Sequence, residues 1–560
     1  METDTIIVGT DPFYNTSLHL KKLIFNGFNA KTWGNLSIGN GPSAMILSYM
    51  LHGYIPFYSS DPPHPDPLLD AKLKHAPNLL NVNVDVLTAH FAASRLSYST
   101  QALPVNVLLD TLVRPSLDIE ESGNISNVEW RYIPEKAVSH LVFGKPSESG
   151  GQWTEHPRGA SWDIQTLSYA AMLSLPGYSF AEHHKQRTGQ DLPPFTRPTR
   201  REIADYFRLY PAAVHIDQVF RCGEDLSNIT RTPNGFYVKS HNLHCKRLVL
   251  ASGIFTEILP PVPALQPLLQ TQITPPVPLL VIGSGFSAAD AIISAAPDQK
   301  IIHVFKWAPE DRPSPLRGCH QHAYPEYASV YRLMKKAALA GATNQRPKYR
   351  RGTSTAFIES RSWEDIYEGV ANVDITSVEI EDGLAQVTFR RADGSTFSRP
   401  VRGLVYAAGR RGTLGYLDSE LRSEVLGADR SDDTIVSAQT LRAKAAEDLE
   451  VAPGVYIIGS LTGDSLVRFA YGGCVYTAGH LIGERESERE TRSMCSSRVS
   501  TRPQSSSLPV MNGMDGHDIF PNDMAVVTRD DTLSKVSTAG VISSSSWWRT
   551  VSRMWKDLIR

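Results

Sequence analysis

The sequence predicts an α/β protein made of two dinucleotide-binding folds of the Rossmann type, the second inserted into the first, with a disordered C-terminal tail. Three observations carry this expectation. Two glycine fingerprints lie far apart in the chain, two strand-to-glycine segments echo each other, and hydrophobic periodicity is lost beyond Gly483.

The better-formed fingerprint is Leu279-Leu280-Val281-Ile282-Gly283-Ser284-Gly285-Phe286-Ser287-Ala288. Four apolar residues predict a buried strand, and the alanine- and isoleucine-rich run to Ala296 predicts a helix. Gly283 allows the tight turn, Gly285 lets a pyrophosphate approach the backbone, and the small Ala288 lets helix and strand pack closely. The free N–H groups and partial positive charge of the helix N-terminus then face the phosphates. The plainer alternative is a glycine-rich turn of any α/β protein. A second strand, Lys300 to Phe305, follows at the expected distance and ends in Lys306, with Arg312 close behind. An NAD site would place an acid there for the ribose hydroxyls, whereas Lys306 and Arg312 welcome a 2′-phosphate. The unit reads as an NADPH site.

With 560 residues the chain has room for about two to four domains. Its 56 Lys and Arg balance 58 Asp and Glu, so no global field draws in nucleic acid. Five scattered cysteines with no C-x-x-C pair point away from a disulfide scaffold, a zinc site and a dithiol reductase. The acidic start is no signal peptide, and glycines and Asp290 break the longest apolar window, so a cytoplasmic protein without a membrane span is expected.

The other fingerprint is Gly39-Asn40-Gly41-Pro42-Ser43-Ala44, followed by a helical run to Leu51. The stretch before it, Trp33 to Ile38, lacks the aliphatic run of a buried parallel strand. Thr5-Ile6-Ile7-Val8-Gly9 is a cleaner strand, and joining Gly9 to Asn40 would make residues 10–39 an insertion. Gly9 and Gly39 both stand as candidates for the first glycine. Asp61 falls about 20 residues past the turn, where a ribose acid belongs, or else opens a proline-rich turn as a solvated acid.

Residues 153–210 combine Pro, Arg, His and aromatics, including Trp162 and Gln165, in connections that either line a site or anchor a core. The segment Arg197-Pro198-Thr199-Arg200-Arg201-Glu202 leads into a helix. The strand Arg247 to Gly253 is echoed by Gly403 to Gly409, and the two suggest crossings between domains. Residues 372–398 read as hairpins turning at Asp393-Gly394. Val455 to Asp464 returns as a strand and a glycine turn through Gly463, followed by a helix to about Ile482. These boundaries give a first domain over 1–270 closed by 401–483, and a second over 277–400. Residues 484–543 form the tail. Residues 544–560 make an amphipathic helix suited to a membrane surface or to docking on protein.

The motifs Gly39 to Ala44 with Leu47-Ser48-Tyr49, His64-Pro65-Asp66-Pro67-Leu68-Leu69, Leu175 to Phe180, and Gly463 to Phe469 with Gly472-Gly473 resemble flavin-dependent monooxygenases of the two-dinucleotide-fold type. They are most like the oxidative stress-induced growth inhibitor family and its fungal relatives. The Trp162-x-x-Gln165 and Arg197 to Glu202 layout is similar to that of amine N-hydroxylating monooxygenases. The resemblance implies FAD at the N-terminal fingerprint with Asp61, Trp162, Gly409, Gly463 and Asp464 nearby, NADPH at the second, and O2 with a small-molecule substrate. It implies oxygen transfer through a flavin C4a-(hydro)peroxide, with Gln165 and Arg468 placing the oxygen site. Arg468 docked on an acid at a boundary, and Asp464 as a helix cap, are the structural alternatives. Ser252 and Ala408 depart from the threonine usual in such turns. An NADPH:acceptor oxidoreductase and a non-catalytic flavin-binding regulator remain alternatives.

Overall fold

A computed structural model describes residues 31–499, apart from 95, 97, 116–125, 158, 271–277, 344–356, 358–359, 382–383, 402 and 431. Strand β1 (Lys31–Ile38) feeds helix α1 (Pro42–Leu51). A hairpin of β2 (Tyr54–Tyr58) and β3 (Val128–Tyr132) brackets α2 (Pro67–Lys74) and α3 (Pro104–Val113). Next come β4 (His140–Gly144), helix α4 (Arg200–Ala213), β5 (Phe220–Cys222), β6 (Ile229–Thr232), β7 (Gly235–Val238) and β8 (Leu243–Leu250). After the short β9 (Glu257–Ile258), β10 (Leu279–Ile282), α5 (Phe286–Ser294), β11 (Ile301–Phe305), α6 (Pro325–Thr343) and β12 (Tyr367–Ala371) form a second βαβαβ run. The chain continues through β13 (Asp374–Glu381), β14 (Leu384–Arg390), β15 (Thr396–Val401), β16 (Leu404–Tyr406), β17 (Arg410–Thr413), β18 (Ile435–Val436), β19 (Glu450–Ala452) and β20 (Val455–Ile457), and then α7 (Ala470–Val499).

Two sheets result, parallel at their centres, with β19 and β7 joining the first antiparallel. The first is ordered β19-β20-β8-β1-β4-β5, and the second β12-β11-β10-β16. In each, the fingerprint strand is central: β1 pairs in parallel with β4 and β8, and β10 with β11 and β16. The second sheet is threaded between β8 and β20, and the two connecting strands β9 and β17 pair antiparallel. The protein is thus a pair of dinucleotide-type sheets, one inserted into the other. Antiparallel β13-β14-β15 turns at Asp393-Gly394, where Gly394 has φ +84°.

Two expectations need correction. The strand feeding Gly39 is Lys31–Ile38, and Thr5–Gly9 lies outside the described residues. A polar strand is tolerated here because both faces are covered and Asn35 finds a partner: its amide donates to the Ser139 carbonyl at 3.3 Å. Helix α7 also does not stop near Ile482 but continues through the alternating charges to Val499. Glu484 pairs with Arg247 at 2.7 Å and Glu486 with Lys136 at 2.8 Å, so the charges dock the helix on β8 and on the turn before β4. Residues 500–543 and the terminal amphipathic segment 544–560 lie outside the described residues.

Strand β1 retains one local defect. The Ser37 hydroxyl is buried without a hydrogen-bond partner, beside a residual void of about 10 Å³ lined by Leu47, His140 and Val249. An unpaired buried hydroxyl and an unfilled space both destabilise. Ser37→Val should therefore raise stability by about 1 kcal/mol, read as an upward shift of the thermal unfolding midpoint.

Candidate functional site

The first residue of each fingerprint is locked by the neighbouring strand. Gly39 has φ +115°, and a Cβ on it would fall 2.3 Å from the Ala251 carbonyl oxygen just beyond β8. Gly283 has φ +142°, and its Cβ would fall 2.3 Å from the Ala407 carbonyl oxygen just beyond β16. The two echoing strand ends therefore serve one purpose, to back the two glycine turns. The second glycines face open space: a Cβ at Gly41 meets nothing within 4 Å, and at Gly285 only Pro315 at 4.0 Å. Helices α1 and α5 begin at these glycines with no side-chain cap, so their first N–H groups remain available for phosphate oxygens.

At the first turn lies a cavity of about 570 Å³, within the range of cofactor sites. It opens beyond the C-terminal ends of β1, β4, β8 and β20, where ligands of doubly wound sheets bind. Gly39, Asn40, Gly41, Pro42 and Ser43 line it, while Ala44 is buried beneath. Gly150 and Gly151 line it too. The Gly150 N–H donates to the Asn40 carbonyl at 2.9 Å, and a Cβ on Gly151 would lie 3.2 Å from Gly41 Cα. This second glycine pair, with Trp153, was missed in the sequence. The signal available was a Gly-Gly pair one residue before a tryptophan, close after an apolar strand. At the far end, Ser465, Leu466, Val467 and Ala470 bring the start of α7 to the cavity, where its positive end favours an electron-rich ring. The open cradle at Gly41, the uncapped helix and the cavity volume fit FAD.

Asp464 lines the cavity, but its carboxylate is engaged by protein groups. It accepts from the Leu103 N–H at 2.9 Å, the Asn106 amide at 2.6 Å and the Arg442 guanidinium at 2.7 Å. It is a cross-link between α3 and the approach to α7. Gly463, with φ +96°, is the turn that precedes it.

Other expected residues lie off this cavity. Asp61 is exposed beyond β2 and does not line the cavity; among the described strands β2 pairs with β3, and the strand beside β1 is β4. Gln165 accepts from Arg197 at 2.9 Å, and Trp162 stacks under Arg200 at 5.7 Å. Arg468 is paired with buried Asp110, its Nε at 2.7 Å, and Asp110 also holds Arg114. The charge of Arg468 is thus spent on α3, the structural alternative, because a buried carboxylate between two guanidiniums needs both partners.

At the second turn, Ser284 accepts from the Ser314 hydroxyl at 2.6 Å, Phe286 packs on Tyr327, and Ser287 is exposed. Lys306 is exposed, 3.4 Å from Asp374, and Arg312 is exposed on the loop after β11. Gly409, φ +119°, sits between Ala407 and the linking strand β17. Uncapped helix, open Gly285 and exposed cations fit a phosphorylated dinucleotide. Among the described residues, none that lines the first cavity comes from 258–412, so the two cradles do not share one cavity.

Buried groups fix the second turn. His303 donates from Nε2 to the Gly283 carbonyl at 2.7 Å and accepts at Nδ1 from the Tyr367 hydroxyl at 2.8 Å. Burial pushes its pKa down to about 4. Asp290, on α5, is raised by burial to about 6 despite the Tyr327 hydroxyl and Arg200 nearby.

No protein-family profile matches the chain. It is 27% identical over 504 residues to human "Oxidative stress-induced growth inhibitor 1", covering 81% of this chain and 95% of that protein. It is also 27% identical over 359 residues to human "Oxidative stress-induced growth inhibitor 2", covering 53% of this chain and 67% of that protein. Among solved structures, it is similar to an ornithine hydroxylase from Pseudomonas aeruginosa, with TM-score 0.43, 14% identity, and 81% and 99% of the two chains covered. It is also similar to a thioredoxin reductase from T. acidophilum, with TM-score 0.40, 12% identity, and 81% and 99% covered.

The His303 geometry gives a pH dependence with a definite sign. The unfolded imidazole takes a proton near pH 6.5 and the folded one only near 4. Its contribution to stability is thus complete above 6.5 and is lost as pH falls toward 4, by roughly 3 kcal/mol at most. Asp290 acts oppositely, adding stability at low pH that is lost as pH rises through about 6. The urea stability difference between the wild type and His303→Gln, which keeps a donor for Gly283, should therefore narrow between pH 6.5 and 4.

Proposed function

We propose that this chain is an FAD- and NADPH-dependent monooxygenase that acts with O2 on a small-molecule substrate. The observation that supports it most is the repetition of one cradle on two interleaved sheets. Each has a glycine turn jammed against a neighbouring strand end, an open second glycine and an uncapped helix. Two such cradles in one protein suit a flavin dinucleotide and a nicotinamide dinucleotide. The flavin, when bound, supplies hydride acceptance and O2 activation, and the protein supplies placement, charge and exclusion of water.

In this reading Gly41, Gly150 and Gly151 admit the FAD pyrophosphate to the backbone, and the α1 N-terminus neutralises it. Trp153 walls the cavity, and the start of α7 lies against the flavin ring. Lys306 and Arg312 receive the 2′-phosphate of NADPH. No side-chain nucleophile is needed.

A second reading, an NADPH:acceptor oxidoreductase without oxygen insertion, is favoured by one observation. Gln165 and Arg468, the residues expected at an oxygen site, both face protein partners away from the cavity. Isotopically labelled O2 decides between the two. The FAD-loaded protein, given NADPH and a panel of amines and ketones, should build one labelled oxygen into product. NADPH oxidation that yields only reduced acceptor or peroxide leaves the second reading. A protein that purifies colourless and takes up no FAD removes both and leaves a regulatory role.

Two substitutions test the cradles separately. Gly41 has φ −83° and space for a side chain, so Gly41→Val should fold normally yet lose flavin affinity by more than about tenfold, measured by fluorescence titration. Lys306→Ala should weaken NADP+ by about tenfold while leaving NAD+ unchanged, measured by calorimetry.

A further inference from the structure

In a dinucleotide fold, the adenosine ribose is held by an acid at the end of the strand beside the fingerprint strand. Here that strand is β4, and it ends in Gly144 followed by Lys145. With Asn40 in its observed place no side chain fits at Gly144, because a Cβ there would fall 2.1 Å from Asn40 Cγ. The Asn40 side chain, 1% exposed, occupies the place instead, donating to the Glu148 carbonyl at 3.0 Å and to Cys222 Sγ at 3.3 Å. Lys145 and Asp225 also line the cavity, but they are paired with each other at 3.4 Å, so neither presents an uncommitted charge there.

Another acid is carried to the same spot by the backbone. Beyond β5 the chain turns at Gly223, φ +74°, and folds back on the end of β4. The Gly223 N–H donates to the Pro146 carbonyl at 2.8 Å, and the Glu224 N–H to the Gly144 carbonyl at 3.2 Å. Glu224 lines the cavity, and its carboxylate lies 3.4 Å from His241 Nε2. His241 in turn packs edge-on against Phe143, another cavity wall, so the carboxylate is braced.

We infer that Glu224 is the acid that accepts the ribose hydroxyls of the adenosine half of the bound dinucleotide, moved from the end of β4 to the loop after β5. This rests on the flavin reading of the cavity. It adds that the adenosine half is recognised by a carboxylate that the spacing rule for the motif does not find.

The test compares FAD with its 2′,3′-dideoxyadenosine analogue on the full chain, by quenching of flavin fluorescence. A hydrogen bond to a charged group discriminates by about ten- to a hundredfold, so the wild type should prefer FAD by that ratio. Glu224→Ala should bring the ratio close to one, and Glu224→Gln, which keeps one acceptor, should give an intermediate value. FMN, which has no adenosine, should bind wild type and variants alike and thereby report an intact fold. A ratio unchanged in both variants overturns the assignment, as does a wild type that binds FAD without preference. A wild type that takes up no flavin overturns the cofactor reading itself.

Discussion

The structure depends on a steric contact made twice. A glycine at the end of a central strand is pressed so closely on the carbonyl beyond the next parallel strand that a β-carbon has no room. That contact forces the chain out of the strand with a positive φ, which only glycine adopts freely. The helix that follows must then start at the sheet's C-terminal edge with bare N–H groups. Gly39 against Ala251 and Gly283 against Ala407 are the same device, and His303 tightens the second by holding the Gly283 carbonyl. The dependence runs from sequence to site: small residues at 251 and 407 permit the approach, the approach fixes the turn, and the turn aims the helix.

The parts legible in the sequence were those set by local sterics. Both fingerprints, the echoing strand ends and the Asp393-Gly394 turn carry their conformations in consecutive residues. Asp61 lies off the cavity for a topological reason. Spacing from the turn measures distance to the ribose only when the next strand in the chain is also the next in the sheet. Here residues 52–139 intervene as a separate hairpin with its own helices, and β4 takes the place beside β1. Within that excursion His64-Pro65-Asp66 is structural: Asp66 caps α2 and accepts from His90 at 2.8 Å and Tyr98 at 2.7 Å. Arg468 and Gln165 escaped for another reason. A charge or amide takes the partner that tertiary packing brings, and neither Asp110 nor Arg197 is near its partner in sequence.

The seam between the segment 153–200 and the second sheet is polar and incompletely satisfied. Arg197 stacks on Tyr324 and lies 3.8 Å from Glu326, yet Arg197 Nη1 and Glu326 Oε2 are buried without hydrogen bonds. Arg200 donates to the Gln152 and Glu155 carbonyls, and its Nε is likewise unpaired. Unmet buried polar groups weaken an interface relative to apolar packing. The first sheet's contacts with α7 bury large apolar side chains, beside the unpaired hydroxyls of Ser37 and Thr477.

Helix α7 packs closely on its neighbours through glycine. A Cβ on Gly472 would fall 2.2 Å from the Val105 carbonyl, and one on Gly479 2.4 Å from the Leu80 carbonyl. These glycines are packing residues that let the helix lie directly on α3 and its neighbours. Asn106 completes the join, accepting from the Gly473 N–H at 2.8 Å and donating to Asp464. With both Asp464 oxygens committed, this end of the cavity presents backbone and helix charge to a ligand, not a free carboxylate. An electron-rich ring suits that surface.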